Sequence, residues 1–145
     1  MTSTLTPDLF RVCDANLNRL KEGIRVIEDI MRYRDNNKTL SRKLKSLRHL
    51  ARIDAYEELL RNRDSINDVL RPTQESELGR SDINAIIAAN FKRGQESCRV
   101  LEELFKLHDV KESEKFKHIR YELYDIEKEI VLANYELIKA TSNSK

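Results

Sequence analysis

The sequence predicts an all-α domain, a helical bundle of two pseudo-repeated long helical hairpins. Three observations predict it. Apolar residues recur at steps of three and four along most of the chain, and only three Gly and two Pro interrupt its 145 residues. A polar skeleton of Asn16, Arg19, Glu22, Arg25 and Glu28 also returns seventy-four residues later as Asn90, Arg93, Glu96, Arg99 and Glu102. The first is the period of a helix with one buried stripe, the second permits long helices, and the third indicates a duplicated unit. A chain of this length can bury a single core. It reads as one domain, residues 1–145, with repeat one over about 8–60, a connection over 61–80 and repeat two over about 81–140.

Thr6-Pro7-Asp8 is a helix-start signature: Thr6 is free to cap, Pro7 suits the first turn and Asp8 complements the dipole. Leu17, Leu20, Ile24, Ile27 and Met31 then form the inner seam of helix one, which is expected to end at the polar turn Asp35-Asn36-Asn37. Helix two is expected from about Thr39 to Leu60, with Leu40, Leu44, Leu47, Ala51 and Ala55 inside, antiparallel to helix one across a short turn. Residues 61–80 lose the periodicity and hold turn and capping types, Asp64, Asn67, Asp68, Pro72 and Gly79. Ser81-Asp82 starts helix three, which runs to about Leu107, with Gly94 read as a point of close packing. Asp109 with Glu112 reads as the N-terminal box of helix four, whose stripe of Phe116, Ile119, Leu123, Ile126 and Ile130 extends to Leu137, before a fraying tail from Thr141 to Lys145. The second arms repeat as well: Leu44-Lys45-Ser46-Leu47-Arg48-His49 answers Phe116-Lys117-His118-Ile119-Arg120-Tyr121.

Composition excludes several classes of function. The 27 basic and 25 acidic residues are closely mixed, for a formal charge of +2, so no strong field for nucleic acid or membrane is expected. No apolar run reaches the roughly 18 residues of a spanning helix, and Met1 to Pro7 lacks the blocks of a signal peptide, which points to the cytoplasm. Cys13 and Cys98 have neither metal-ligand spacing nor a disulfide framework and read as reduced thiols. Glycines at 23, 79 and 94 alone exclude a P-loop or dinucleotide fingerprint, and no serine nucleophile elbow, H-E-x-x-H or paired Cys motif occurs.

The duplicated skeleton is the candidate site. On a helical wheel Asn16 and Arg19 sit among Val12, Gly23, Val26 and Ile30, on a flank beside the inner stripe, and Asn90 and Arg93 take the same places in repeat two. Small residues, Gly23 and Ser97, leave space there for a ligand. Arg19 and Arg93 supply planar charged forks for phosphate or carboxylate, and Asn16 and Asn90 supply neutral donors and acceptors. Glu22 and Glu96, one turn on, either hold the arginines or bind a metal or a hydroxyl. Arg25, Arg99 and Glu28 read as members of intrahelical charge ladders, worth about 0.2–0.5 kcal/mol per pair. Arg48 and Arg120 border the inner stripes of helices two and four, with Tyr124 one turn beyond Arg120. They either close the pocket or bury only their stems. Arg63, Asp64 and Asp68 in the connection can hold a Mg²⁺-bearing phosphate, but on residue types alone they read as a capped turn, where Asp is common.

Asp14-Ala15-Asn16-Leu17-Asn18-Arg19, Glu22-Gly23-Ile24-Arg25-Val26-Ile27-Glu28-Asp29, Leu47-Arg48-His49, Arg63-Asp64 with Asp68-Val69, and Ala89-Asn90 through Arg99-Val100-Leu101-Glu102-Glu103 together resemble a small helical family. That family is the compact bacterial hydroxymethylpyrimidine phosphate kinase, found alone or fused in front of thiamine-phosphate synthase. The chain looks like its stand-alone form over about residues 10–130. It departs from the family pattern at Asp68-Val69-Leu70, where a glycine usually follows Val, and at Ser97-Cys98, where Ala-Leu is usual. The resemblance implies ATP-dependent phosphorylation of 4-amino-5-hydroxymethyl-2-methylpyrimidine phosphate to the diphosphate. Under it, Arg19, Arg93, Arg48 and Arg120 would stabilise phosphoryl charge, Asp64 and Asp68 would hold Mg²⁺, and Asn16 and Asn90 would read pyrimidine or ribose edges, while Glu22 or Glu96 would orient the acceptor. Arg63 and Tyr124 would complete the binding set. The alternative is a non-catalytic helical module that binds and regulates a thiamine-pathway enzyme such as thiamine-phosphate synthase. A homodimer through Tyr33, Val131 and Leu132 is also compatible with the sequence.

Overall fold

A computed structural model of the chain describes residues 5–73 and 79–143. Five helices account for most of it: α1 (Pro7–Asp29), α2 (Lys38–Leu50), α3 (Tyr56–Arg61), α4 (Ile83–Phe105) and α5 (Val110–Asn143). No strand occurs among the described residues. The all-α class holds, and none of the described helices is long and apolar enough to cross a membrane.

Helices α1 and α4 lie against each other at the centre. Their antiparallel course follows from the pairs that meet: a Cβ on Gly23 would stand 3.1 Å from the carbonyl oxygen of Asn90, a Cβ on Gly94 would stand 3.7 Å from Leu20, and the Phe10 ring meets His108 at 6.0 Å. Helix α2 packs on α1 and α5 on α4. Leu20, Ile24, Ile27, Phe91, Leu101, Phe105, Phe116, Ile119 and Leu123 are fully buried between them. Each such side chain contributes about 1.5–3 kcal/mol on leaving water.

Buried ion pairs tie each hairpin together at corresponding places. Arg48 of α2 donates to both carboxylate oxygens of Glu28, at 2.7 and 3.2 Å, and Glu28 is only 2% exposed. Arg120 of α5 donates through Nε and an Nη to one oxygen of the buried Glu102, at 3.2 and 3.0 Å. The amide groups repeat too: Asn16 donates to the carbonyl of Val12 and Asn90 to that of Ile86, each one turn back.

The helix starts follow their sequence signals. Pro7 opens α1, with Thr6 at the cap position, although the Thr6 hydroxyl donates to the Asp8 side chain and caps no backbone N–H. Asp82 accepts from the Ala85 amide and Asp109 from the Lys111 amide. Helix one ends at the expected polar turn, whereas the ends of α2 and α5 depart from expectation. α1 passes into a π-helical turn at Ile30–Arg34 and stops where Asn36 takes a left-handed conformation, φ 50°. α2 ends at Leu50, not near Leu60, because the chain turns at Ala51 (ψ 67°) and folds back as α3 to bury Ile53 and Leu59. Apolar burial there outweighs the intrinsic preference to continue the helix. Thr141 to Asn143 continue α5 where a frayed tail was expected, and Ser144 and Lys145 lie outside the described residues, as do 74–78 of the connection.

Candidate functional site

The break after α2 carries residues 63–68 across the outer side of the first half of α1. Between them lies a groove of about 670 Å³, whose lining includes Asn16, Arg19, Glu22, Arg63, Asp64 and Asp68. One contact anchors it: Arg63 donates to both oxygens of Asp14, at 2.7 and 2.8 Å, and Asp14 is 5% exposed within α1. That carboxylate also accepts from Asn18 at 3.3 Å, and its hydrogen bonds raise the Arg63 guanidinium above its ordinary pKa. Arg11 supports the same segment by donating to the Asp64 carbonyl at 2.8 Å.

Asp64 and Asp68 shape the rim. The Asp64 carboxylate accepts from the Asn67 backbone at 3.1 Å and from its side chain at 2.6 Å, and these bonds hold its pKa below the ordinary carboxylate value. Asp68 accepts from the Leu70 amide at 3.0 Å. Asn16 is buried, and its bond to Val12 fixes the amide with Nδ2 turned to the helix. Arg19 and Glu22 are exposed and make no ion pair or hydrogen bond among the described residues, so their charges are available to a ligand.

The second copy stands elsewhere. Asn90, Arg93 and Glu96 do not line this groove, and Arg93 and Glu96 are exposed on α4. The expected ligand space beside Gly23 is filled by the α4 backbone at Asn90 and Gly94. Removing the side chain there serves helix approach. Arg48 and Arg120 are held by Glu28 and Glu102, and the Arg120 guanidinium lies over the rings of Tyr121 and Tyr124 at 5.0 and 6.0 Å. The charge ladder is rearranged in repeat one, where Glu28 turns to Arg48 and Arg25 pairs with Asp29 at 3.1 Å, whereas Arg99 keeps its intrahelical partners, Glu102 at 3.3 Å and Glu103 at 3.0 Å.

Asp14 and Arg11 line and anchor the groove, and the sequence reading did not single them out. The available signal was a difference between the copies, since the position corresponding to Asp14 in repeat two is Ala88. The donors present suit Mg²⁺ in one manner only. No cluster of three or more His, Cys, Asp or Glu side chains is placed to hold a metal among the described residues. Two carboxylates at a groove rim, the half-buried Asp64 and the exposed Asp68, match an ion that keeps its waters and is held jointly by one or two carboxylates and a ligand's phosphates.

Fold and groove together define a class: an all-α protein whose surface groove is lined by arginine, amide and carboxylate groups. Within that class the chain belongs to the ThiD2 family, which it matches over residues 11–129. It is 40% identical over 127 residues to a thiamine-phosphate synthase of Thermosynechococcus vestitus, covering 86% of this chain and 36% of that protein. It is 38% identical over 123 residues to one of Nostoc sp. (82% and 34%) and 34% identical over 138 residues to one of Rhodopirellula baltica (91% and 36%). The chain thus spans about a third of the length of these curated relatives. No solved structure matches it.

Proposed function

We propose that the protein acts in thiamine biosynthesis as a phosphotransferase, using ATP and Mg²⁺ to convert 4-amino-5-hydroxymethyl-2-methylpyrimidine phosphate to its diphosphate in the cytoplasm. The observation that carries this reading is the groove, where the unpaired Arg19 and Glu22 and the amide of Asn16 meet Asp64 and Asp68 on a segment clasped by Arg63 and Asp14. Family membership and relatives named for thiamine-phosphate synthesis supply the pathway.

Phosphoryl transfer asks the protein mainly for placement and charge stabilisation. Arg19 would bind phosphate oxygens, and Asp64 and Asp68 would share Mg²⁺ with the nucleotide phosphates. Magnesium would supply neutralisation of phosphate charge when bound. Asn16 would read a polar edge of the pyrimidine, and Glu22 would orient the acceptor. The acceptor is itself an ionised phosphate, so the chemistry does not require a strong general base. Arg63, bound to Asp14, is a positioning residue.

The length of the relatives favours a second reading, a helical module that regulates a thiamine-pathway enzyme. Two measurements separate the readings. The kinase consumes ATP only when the pyrimidine monophosphate and Mg²⁺ are both present, and each ligand alone raises the melting point. The module turns over no ATP and co-elutes with thiamine-phosphate synthase. Arg19→Ala is expected to abolish turnover with helical circular dichroism intact; full activity would remove the groove from the reaction. Arg93→Ala reports whether the second copy takes part.

A further inference from the structure

The turn of the first hairpin holds a second concavity, of about 340 Å³, that shares no lining residue with the groove. Arg32, Lys38, Arg42 and Lys45 surround it, with Asn36 and Ser41 between them. None of the four cations is in an ion pair among the described residues, although Arg32 lies over the Tyr33 ring at 4.9 Å. The one carboxylate on the rim, Glu28, is bound at both oxygens by Arg48. Helix α2 contains no Asp or Glu from Lys38 to Leu50.

This arrangement works against the stability of the isolated helix. Lys38 and Arg42 are like charges at i,i+4 and Arg42 and Lys45 at i,i+3, each pair costing about 0.2–0.5 kcal/mol. Lys38 also stands in the first turn, where the helix dipole disfavours a cation. The Asn37 side chain caps only the Leu40 amide. Elsewhere the chain mixes its signs closely, so several local rules broken around one cavity indicate a binding role.

We propose that this cavity is a second anion site that takes a contiguous polyphosphate, two or more linked phosphates, either free or as the tail of a nucleotide. Four cations from two elements match the charge of such a group, and the volume is within the range of small-molecule sites. The site stands apart from the kinase reading, because none of its residues lines the groove.

Inorganic tripolyphosphate is the probe, titrated into the full chain by calorimetry and by amide chemical shifts. Saturable binding is expected, with shifts centred on residues 36–45 and an affinity about tenfold weaker in Arg42→Gln/Lys45→Gln. Without ligand that variant should melt at or above the wild-type temperature, since like-charge repulsion is removed. Competition by ATP but not adenosine assigns the site to a nucleotide tail, and competition by neither assigns it to free polyphosphate. Absence of saturable binding, unchanged affinity in the variant, or shifts confined to residues 8–22 and 63–68 would overturn the proposal.

Discussion

Glu28 and Arg25 stand three residues apart on one helix and illustrate how burial sets the worth of a charge. Arg25 and Asp29 are exposed partners, so Arg25→Ala should change stability by less than about 0.5 kcal/mol. Glu28 is sealed, with Arg48 as its counter-charge. Arg48→Ala would strand a buried carboxylate at a cost of roughly 2–4 kcal/mol, discounted for the partial exposure of the arginine, whereas Arg48→Met/Glu28→Leu should recover most of that loss. Urea denaturation of the three variants checks the ordering; equal losses for Arg25→Ala and Arg48→Ala would contradict it. Titration follows the same logic. Burial pushes Cys13 up to about 11 and Cys98 up to about 12, so neither thiol should react with a thiol reagent at neutral pH until the protein unfolds. Asp64 differs, because hydrogen bonds from Asn67 depress its pKa below 3.8. Its contribution to the turn is therefore present above that value and fades as pH falls through the lower, folded one. The Asn67 amide resonance should stay unchanged from neutrality to about pH 4.5 and move only in stronger acid.

At the scale of the element, the two helical glycines separate by what their missing Cβ would touch. At Gly23 the nearest atom is a backbone carbonyl oxygen of α4, at 3.1 Å, which moves only if the central helices part. At Gly94 it is the Cδ1 of Leu123, at 3.3 Å, the far end of a flexible side chain. Gly→Ala gains about 1 kcal/mol of helix propensity at either place. Gly23→Ala should nevertheless lose about 1–3 kcal/mol through overpacking, while Gly94→Ala should fall near zero. Equal melting points for the two variants would contradict the close approach at Gly23. The same contrast shows what the sequence could disclose. Helix starts were legible because Pro7, Asp82 and Asp109 act locally. The end of α2 was not, because Ala51 carries no breaker signal and the turn there is driven by Ile53 and Leu59 reaching a core assembled from other helices.

In the whole molecule, contacts that recur between the two halves frame a groove that is lined from the first half and the connection. The paired arginines and glutamates and the paired asparagine bonds recur in both hairpins, yet repeat one breaks its second helix after 13 residues, whereas α5 continues for 34. That break brings Arg63, Asp64 and Asp68 over α1, and the clasp that holds them spans 49 residues of sequence. Residue types and the repeat made Asn16, Arg19 and Glu22 stand out. The side of the molecule they would share with the connection depended on a contact that no local pattern encodes, visible in the sequence only as Asp14 facing Ala88 across the repeat. The clasp is therefore the point at which fold and groove separate experimentally. Asp14→Ala removes a buried, bidentate counter-charge and should lower stability by about 1–3 kcal/mol, leaving the central α1 and α4 packing in place. Proteolysis within residues 62–73 should accelerate, since that segment would lose its main hold on α1, and ligand binding in the groove should weaken with it. Arg63→Ala should do the same, with a double variant little worse than either alone, because both changes delete one interaction. A connection as resistant to protease in Asp14→Ala as in the parent chain would show that the groove keeps its shape without the clasp.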